Sequence, residues 1–247
     1  MTRGDIYMLD FGIPFGSEPG MRRPVVIIQS DKENLNGLNT KVVIPLTSNT
    51  INSTLRGNVF ISKKDSGLSK DSVALVHQII VVDKIRLENK LSKLPKDILK
   101  KIENEIDSID KQISTIIKEL NPRMLTIPGL GEISAAMILS EFGDISLFSN
   151  PNKMLAYSGL EPSVIQSGTL QSNGKMVKHG SGHLRYSIMN SAMIILRYSP
   201  TFYDYYLKKR SEGKPHRVAL SHVCKKLIRV IFCLEKYNIN FDPSLLK

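Results

Sequence analysis

One stretch constrains this chain more than any other, an uninterrupted helical pattern running from Pro95 to Leu120. Its apolar residues, Ile98, Ile102, Ile106, Ile109, Ile113, Ile116 and Leu120, step by four and three with Lys, Glu, Asp and Ser between them, which is a heptad-like seam. Pro95 suits a first helical turn, where its missing N–H is no loss, and Pro122 ends the pattern because it cannot donate to the helix ladder. Such a helix spans ~40 Å at ~1.5 Å per residue, so it separates as well as connects. Before Asp107 the sequence is rich in Val-Ile runs broken by Gly, Asn and Ser; after Pro122 it is rich in Ala, Ser, Met and Leu at helical spacing. The expected fold is therefore an α+β two-domain chain, β first and α second.

At 247 residues the chain is long enough for two domains that each bury a core. Its net charge of +11, from 34 basic and 23 acidic residues, favours an anionic partner, of which nucleic acid is the commonest for a basic chain. The excess is uneven: from Lys175 to Arg229 there are 12 Lys and Arg against 2 acids. Cys224 and Cys233 are nine apart, which fits neither a zinc knuckle nor a redox pair, so both are expected as reduced core residues. No apolar run reaches the ~20 residues of a membrane span and the N-terminus lacks a signal-peptide core, so a cytoplasmic protein without a membrane partner is expected.

In the first half, Arg3 to Asp10 reads as a short strand, followed by a Gly- and Pro-rich loop from Phe11 to Arg23. Runs at 24–29, 41–46, 58–62, 72–76 and 78–82 read as further strands separated by polar turns, which indicates a small, strongly curved barrel or sandwich. Within them, Arg3-Gly4-Asp5-Ile6-Tyr7, the run from Gly16 to Val26, Pro45-Leu46-Thr47-Ser48, and Gln78 with Asp83-Lys84-Ile85-Arg86-Leu87 resemble the MazF/PemK family of toxin endoribonucleases over Arg3 to about Glu103.

That resemblance implies an SH3-like β-barrel, a homodimer, an antitoxin protein as partner, and cofactor-free, metal-independent cleavage of single-stranded RNA. In that chemistry the 2′-hydroxyl attacks its own phosphate and leaves a 2′,3′-cyclic phosphate and a 5′-hydroxyl. Carried over by motif, Arg23 is the key catalytic residue, Thr47 stands beside the scissile phosphate, and Ser17 and Gln78 help to hold the RNA. The residue types suit the task. Arginine offers a rigid fork of donors to a phosphate whose charge grows in the transition state, and a threonine hydroxyl can add another. A free guanidinium holds its proton to a pKa above ~12, so an electrostatic role is the better expectation for Arg23 than proton transfer. The chain departs from the family in placing Met8 where an aromatic residue is usual, Ile80 where an Arg is usual, and His77 where an acid often stands.

In the second half, Ile127-Pro128-Gly129-Leu130-Gly131-Glu132 precedes an apolar helix from Ile133 to Phe142. A hydrophobe-Gly-hydrophobe-Gly turn opening a helix is the helix-hairpin-helix arrangement for DNA contact, because Gly129 and Gly131 let backbone N–H groups approach a phosphate. A tight structural turn between two helices is the rival reading. The runs 148–153, 156–162 and 166–168, and Gly174-Lys175-Met176-Val177-Lys178-His179-Gly180 ending in His183-Leu184-Arg185, resemble the C-terminal domain of the DEDD-type insertion-sequence transposases from about Ile106 to Phe241.

The resemblance makes Ser167 the candidate catalytic serine on DNA, although no neighbour in sequence is an evident activating base. The RuvC-like domain that carries the metal ligands in full-length members has its place taken here by the barrel. His179 and His183 are four apart, but Gly180 and Gly182 argue against a helical metal pair, and no metal site is expected. Lys175, Lys178, His179 and Arg185 are expected to contact phosphate. Met189, Met193, Ile194, Ile195 and Leu196, and the segment from Val218 to Leu234, read as core packing, with Lys225, Lys226 and Arg229 on an outer helix face.

The two resemblances divide the chain into a barrel domain at 1–105, a coiled-coil-like linker helix at 106–122 with its seam continuing across the join, and an all-α domain at 123–247. The expected function is an endoribonuclease fused to a DNA-binding, transposase-derived domain. The alternatives are a transposase remnant acting only as a DNA-binding module, or the product of an insertion element joining a toxin gene.

Overall fold

A computed structural model describes residues 1–13, 19–167, 170–176 and 180–245, with 162–167, 170–176 and 245 described at the level of the backbone. It divides into two units, Met1–Lys111 and Gln112–Lys247.

The first unit is built on seven antiparallel strands. They are β1 (Asp5–Asp10), β2 (Arg22–Ile27), β3 (Thr40–Thr47), β4 (Val59–Ile61), β5 (Ser72–Ala74), β6 (Ile80–Asp83) and β7 (Leu87–Lys93), in the order β4-β5-β3-β2-β1-β7 with β6 on β3. Strand β3 pairs with β6 over Thr40–Val43 and with β5 at Leu46 and Thr47, so one strand serves two neighbours in succession, as in a strongly bent sheet. Alternation along β2 supplies two cores. Val25 and Ile27 pack with Tyr7, Leu9, Val43 and Val82, whereas Val26 packs with Ile6, Ile44, Leu46 and Ile61.

Strand β7 is missing from the sequence reading. In Leu87-Glu88-Asn89-Lys90-Leu91-Ser92-Lys93 only Leu87 is buried, so the segment has no apolar alternation to announce it. It is held as a strand by its ladder to β1, from Asp5 opposite Lys93 to Leu9 opposite Leu87, with two irregularities in register. Two short helices, α1 (Asp31–Leu35) and α2 (Lys63–Ser66), also stand where polar turns were expected, each begun by a serine whose hydroxyl accepts a first-turn N–H.

Helix α3 (Lys96–Leu120) fills the predicted long segment. Leu94, Ile98, Leu99 and Ile102 are buried in the Val26 core, with Ile106 and Ile109 packed at its edge. Each such side chain contributes roughly 1.5–3 kcal/mol by its burial. The continuous seam does not persist: Ile116 and Leu120 are exposed and Ile117, off the seam, is buried. A strict heptad drifts by about 20° per repeat around a straight helix, so an unsupercoiled α3 carries its seam away from the covered face.

The second unit contains α4 (Glu132–Phe142), α5 (Pro151–Tyr157), α6 (Gly182–Tyr198), α7 (Pro200–Ser211) and α8 (His216–Tyr237). Val223, Leu227, Ile231 and Leu234 of α8 recur at helical spacing and join Ile138, Leu184, Ile188, Ile195 and Phe202 in one core. The all-α expectation is corrected by an antiparallel pair, β8 (Pro162–Ser167) and β9 (Leu170–Met176), where β-branched Val164 and Ile165 favour extended backbone. Gly182 and His183 are helical, opening α6 behind Ser181, whose hydroxyl accepts the Leu184 N–H. Met193 and Ile194 are exposed rather than core, since the buried stripe of α6 is Leu184, Ile188, Ala192 and Ile195. The cysteines also divide: Cys224 is buried, which pushes its thiol up to about 12, and Cys233 is exposed. Among the described residues no helix is long and apolar enough to cross a membrane.

Candidate nucleic-acid sites

In the first unit, β2 and β3 run antiparallel with Val25 opposite Pro45 and Val26 opposite Ile44. The ladder stops at Val25 and Pro45, and two residues beyond it on each strand Arg23 and Thr47 both line one open groove of about 590 Å³. Residues 24 positions apart thus reach one groove at the ends of paired strands. Arg23 is half-buried, and among the described residues its guanidinium makes one hydrogen bond, Nε to the Gly20 carbonyl at 2.8 Å. That bond fixes the head group at its inner edge, while a guanidinium carries four further N–H donors for an anion. The Thr47 hydroxyl accepts the Asn49 N–H at 3.2 Å, and the N–H of Ile51 goes to the Asn49 side chain at 3.2 Å, so the chain leaving β3 is tied down next to the groove.

Other groove residues were given no site role from the sequence. Ser48, Ser69, Lys70 and Ser72 bring hydroxyls and a second cation, and Met8 and Leu91 bring an apolar wall. The segment bearing Ser69 and Lys70 is braced at both ends. The Ser62 hydroxyl accepts the Asp65 N–H at 3.1 Å and donates to the Asp65 carboxylate at 2.8 Å, the Lys63 N–H donates to Asp71 at 2.7 Å, and the Ser72 hydroxyl donates to the Lys70 carbonyl at 3.2 Å. A Ser-x-x-Asp start is a readable helix signal, but its consequence for a distant groove is not local information. Arg22 lines the groove too, with its charge met by Glu88.

Not every expected RNA contact is gathered. Gln78 ends a 3₁₀ turn, Val76–Gln78, and is half-buried outside the groove lining. His77 is exposed, its Nδ1 2.8 Å from the Asn58 side-chain oxygen. Ser17 lies outside the described residues.

At the start of β1, Asp5 is buried. Burial pushes its carboxyl up, but the Lys90 ammonium at 2.8 Å and the Thr2 N–H at 2.8 Å outweigh this and hold it below the usual carboxylate range.

In the second unit the two candidate glycines differ. The Leu130 N–H donates to the Ile127 carbonyl at 3.1 Å across Pro128-Gly129, with Gly129 at φ +92, as a type II turn requires. A Cβ on Gly129 would meet Ile195 Cα and Tyr198 of α6 at 3.1 Å, so this glycine serves helix packing. Gly131 is exposed, has nothing within 4 Å of a Cβ position, and is the N-cap of α4 without a side-chain cap. Its neighbourhood is the open one, where the first N–H groups of a helix can meet an anion.

Arg185 donates to the Gly180 carbonyl at 3.0 Å. Ser167 is the last residue of β8, opposite Leu170, and Lys175 lies in β9; their side chains, and Lys178 and His179 altogether, lie outside the described residues. Among the described residues no group of three His, Cys, Asp or Glu is placed to hold a metal ion.

Comparison with known proteins gives the class of each part. Residues 2–109 match the model of the PemK-like, MazF-like toxins of type II toxin–antitoxin systems, and residues 121–207 match that of the IS116/IS110/IS902 transposase family. Endoribonuclease MazF2 of Mycobacterium bovis and endoribonuclease MazF6 of Mycobacterium tuberculosis are each 36% identical over 103 residues, which cover 42% of this chain and 90% of theirs. Among solved structures, MazF from Deinococcus radiodurans aligns at 22% identity over 44% of this chain and 94% of its own, with a TM-score of 0.38. A mycobacterial endoribonuclease in complex with its cognate antitoxin aligns at 18% over 44% and 90%, with a TM-score of 0.35. The chain belongs to the PemK/MazF toxin family through its first unit, and carries an IS110-family transposase domain in its second.

Proposed function

We propose that the first unit is a metal-independent endoribonuclease that cleaves single-stranded RNA in the groove lined by the ends of β2 and β3 and by the segment 67–72. The convergence of Arg23 and Thr47 on that groove carries the reading. The 2′-oxygen of the substrate bonds to the adjacent phosphorus as the P–O5′ bond breaks, giving a 2′,3′-cyclic phosphate and a 5′-hydroxyl, with protons exchanged through water. Arg23 and Thr47 donate hydrogen bonds to the phosphoryl oxygens as their charge rises, an effect worth most in a groove with apolar walls such as Met8 and Leu91. Lys70 adds a second positive charge. Ser17 and Gln78 are assigned to the flanking RNA rather than to the reacting phosphate.

The unit is read as an SH3-like barrel that pairs as a homodimer, is restrained by an antitoxin protein, and works in the cytoplasm. The second unit is read as a DNA-binding module, with Gly131 at the open N-terminus of α4 and Lys175, Lys178, His179 and Arg185 as phosphate contacts. Gly129 supports that surface by shaping the turn, and Ser167 is the candidate nucleophile only for a partner that supplies the rest of a transposition centre. A reading as a DNA-binding remnant alone is favoured by the transposase-family match, but it leaves the Arg23 groove without a use. Purified protein incubated with single-stranded RNA in EDTA tests the proposal. Cleavage that ends in a cyclic phosphate and is lost in Arg23→Ala supports it, and an inactive parent refutes it.

A further inference from the structure

Between Pro200 and Val230 the chain carries eight Lys and Arg against Asp204 and Glu212. Glu212 is engaged by Lys209 at 2.8 Å. Two of the remaining cations are brought together by helix packing. The Lys226 ammonium of α8 lies 4.5 Å from the centre of the Tyr205 ring of α7, and both line an open recess of about 450 Å³ with Lys208, Thr201, Asp204 and Ser244. Tyr205 also receives Lys209 at 5.6 Å. A cation held over an aromatic face keeps its position without giving up its charge, so the recess presents an ordered Lys226 ammonium beside Lys208.

Cations also crowd one another on this surface, with Asp204 the one carboxylate among the recess residues. Burial and then Lys208 hold the Lys226 ammonium below the usual lysine range; burial and then Arg229 do the same for Lys225. His222 is pushed down by burial and by Lys225, Lys209 and Lys214. Mutual repulsion of this kind is relieved by a bound polyanion, and several cations spaced along two helices match a chain of phosphates better than a single small anion. Thr201 and Ser244 add hydroxyl donors to the same recess, and the Tyr205 ring serves to hold the Lys226 ammonium in place.

We propose that the recess between α7 and α8 binds the phosphodiester backbone of a nucleic-acid strand through Lys208 and Lys226. This site is separate from Gly131 and from the residues of the 175–185 segment, and it rests on the reading of the second unit as a nucleic-acid-binding module. The full chain is titrated with a fluorescent 20-nucleotide single-stranded DNA, which the ribonuclease centre cannot cleave, and with its duplex, across a salt series. Lys208→Gln with Lys226→Met is expected to weaken binding about tenfold at low salt. It should also flatten the salt dependence by about 1.4 on single strands or about 1.8 on duplex, at ~0.7 or ~0.9 per phosphate contact, and the form whose affinity falls by the larger factor is the preferred one. Lys208→Arg with Lys226→Arg should bind like the parent. Lys32→Gln with Lys153→Gln, which removes the same charge from exposed positions elsewhere, should leave the salt slope unchanged. If the Gln/Met variant, with a parental circular dichroism spectrum, keeps the parent's slope, or if the distant pair lowers it equally, the recess is not a site. A parent that binds neither DNA form removes the module reading and the recess together.

Discussion

The two units gather their candidate side chains by opposite means. In the first, an antiparallel register brings Arg23 and Thr47 into one groove across 24 positions of sequence, and the strands that carry them are anchored in two cores. In the second, the candidates sit on local devices, a turn and a helix N-terminus at Gly129 and Gly131 and adjoining helix faces at Lys208 and Lys226, around a single helical core. A site set by register depends on the whole sheet. A site set by helix ends and faces depends on its own few turns and on electrostatics, so salt governs it more strongly.

Emptying the second core should break that contrast if it is wrong. Phe202→Ala removes a fully buried ring stacked on Phe241 and is expected to cost about 3–5 kcal/mol of second-unit stability. Denaturation of that unit should shift by this amount, while RNA cleavage changes less than twofold; a large loss of cleavage would show that the groove depends on both units.

Next in size is the difference between the two glycines. Gly129→Ala forces a side chain against Ile195 and Tyr198 at positive φ and should destabilise the second unit by about 2–4 kcal/mol. Gly131→Ala meets open space and should cost about 1 kcal/mol or less. DNA titration of the folded Gly131→Ala protein then reads phosphate approach at α4 with little change in stability, and equal thermal shifts for the two variants would contradict the assignment.

Within the groove, Thr47→Ala removes one donor to a charged group, which is worth about 1.5–3 kcal/mol. A drop in kcat of about tenfold to a hundredfold is expected, with melting little changed, and an unaltered kcat would take Thr47 out of the chemistry.

The smallest effect is in pH dependence, where the units should move in opposite directions. Asp5 titrates below its unfolded value of 3.8, so its contribution is present above that pH and is lost as pH falls through the folded value. Glu235 is the reverse. Burial raises its carboxyl above 4.5 in spite of the Met124 N–H at 2.6 Å, so the second unit gains stability as pH falls through the raised value towards 4.5. Denaturant titration of the parent, Asp5→Asn and Glu235→Gln between pH 3 and 6 would resolve both trends, and parallel curves for the two variants would contradict the scheme.

Much of this was legible in the residues. Val- and Ile-rich runs between polar turns marked six of the seven strands of the first unit, and the isoleucine spacing marked α3. The seventh strand was hidden because β7 keeps one buried side chain and owes its form to β1, a relation that no local pattern carries. Likewise Arg23 and Thr47 were named from motif, whereas Ser69 and Lys70 became groove residues only once α2 and its Asp71 anchor turned the chain back. In the second unit the turn glycines were legible but not their division of labour, since the partner of Gly129 lies on α6. Cys233, Met193 and Ile194 were misplaced because apolar composition does not say which face of a helix is covered.

The central claim is that Arg23, gathered with Thr47 in one groove at the ends of β2 and β3, carries metal-independent RNA cleavage. Its most direct measurement is the rate and product end-group for single-stranded RNA in EDTA, with parent and Arg23→Ala compared at equal fold content. The account predicts a 2′,3′-cyclic phosphate from the parent and a loss of about a hundredfold or more in the variant. Cleavage that persists in Arg23→Ala, or that requires a divalent metal, would contradict it.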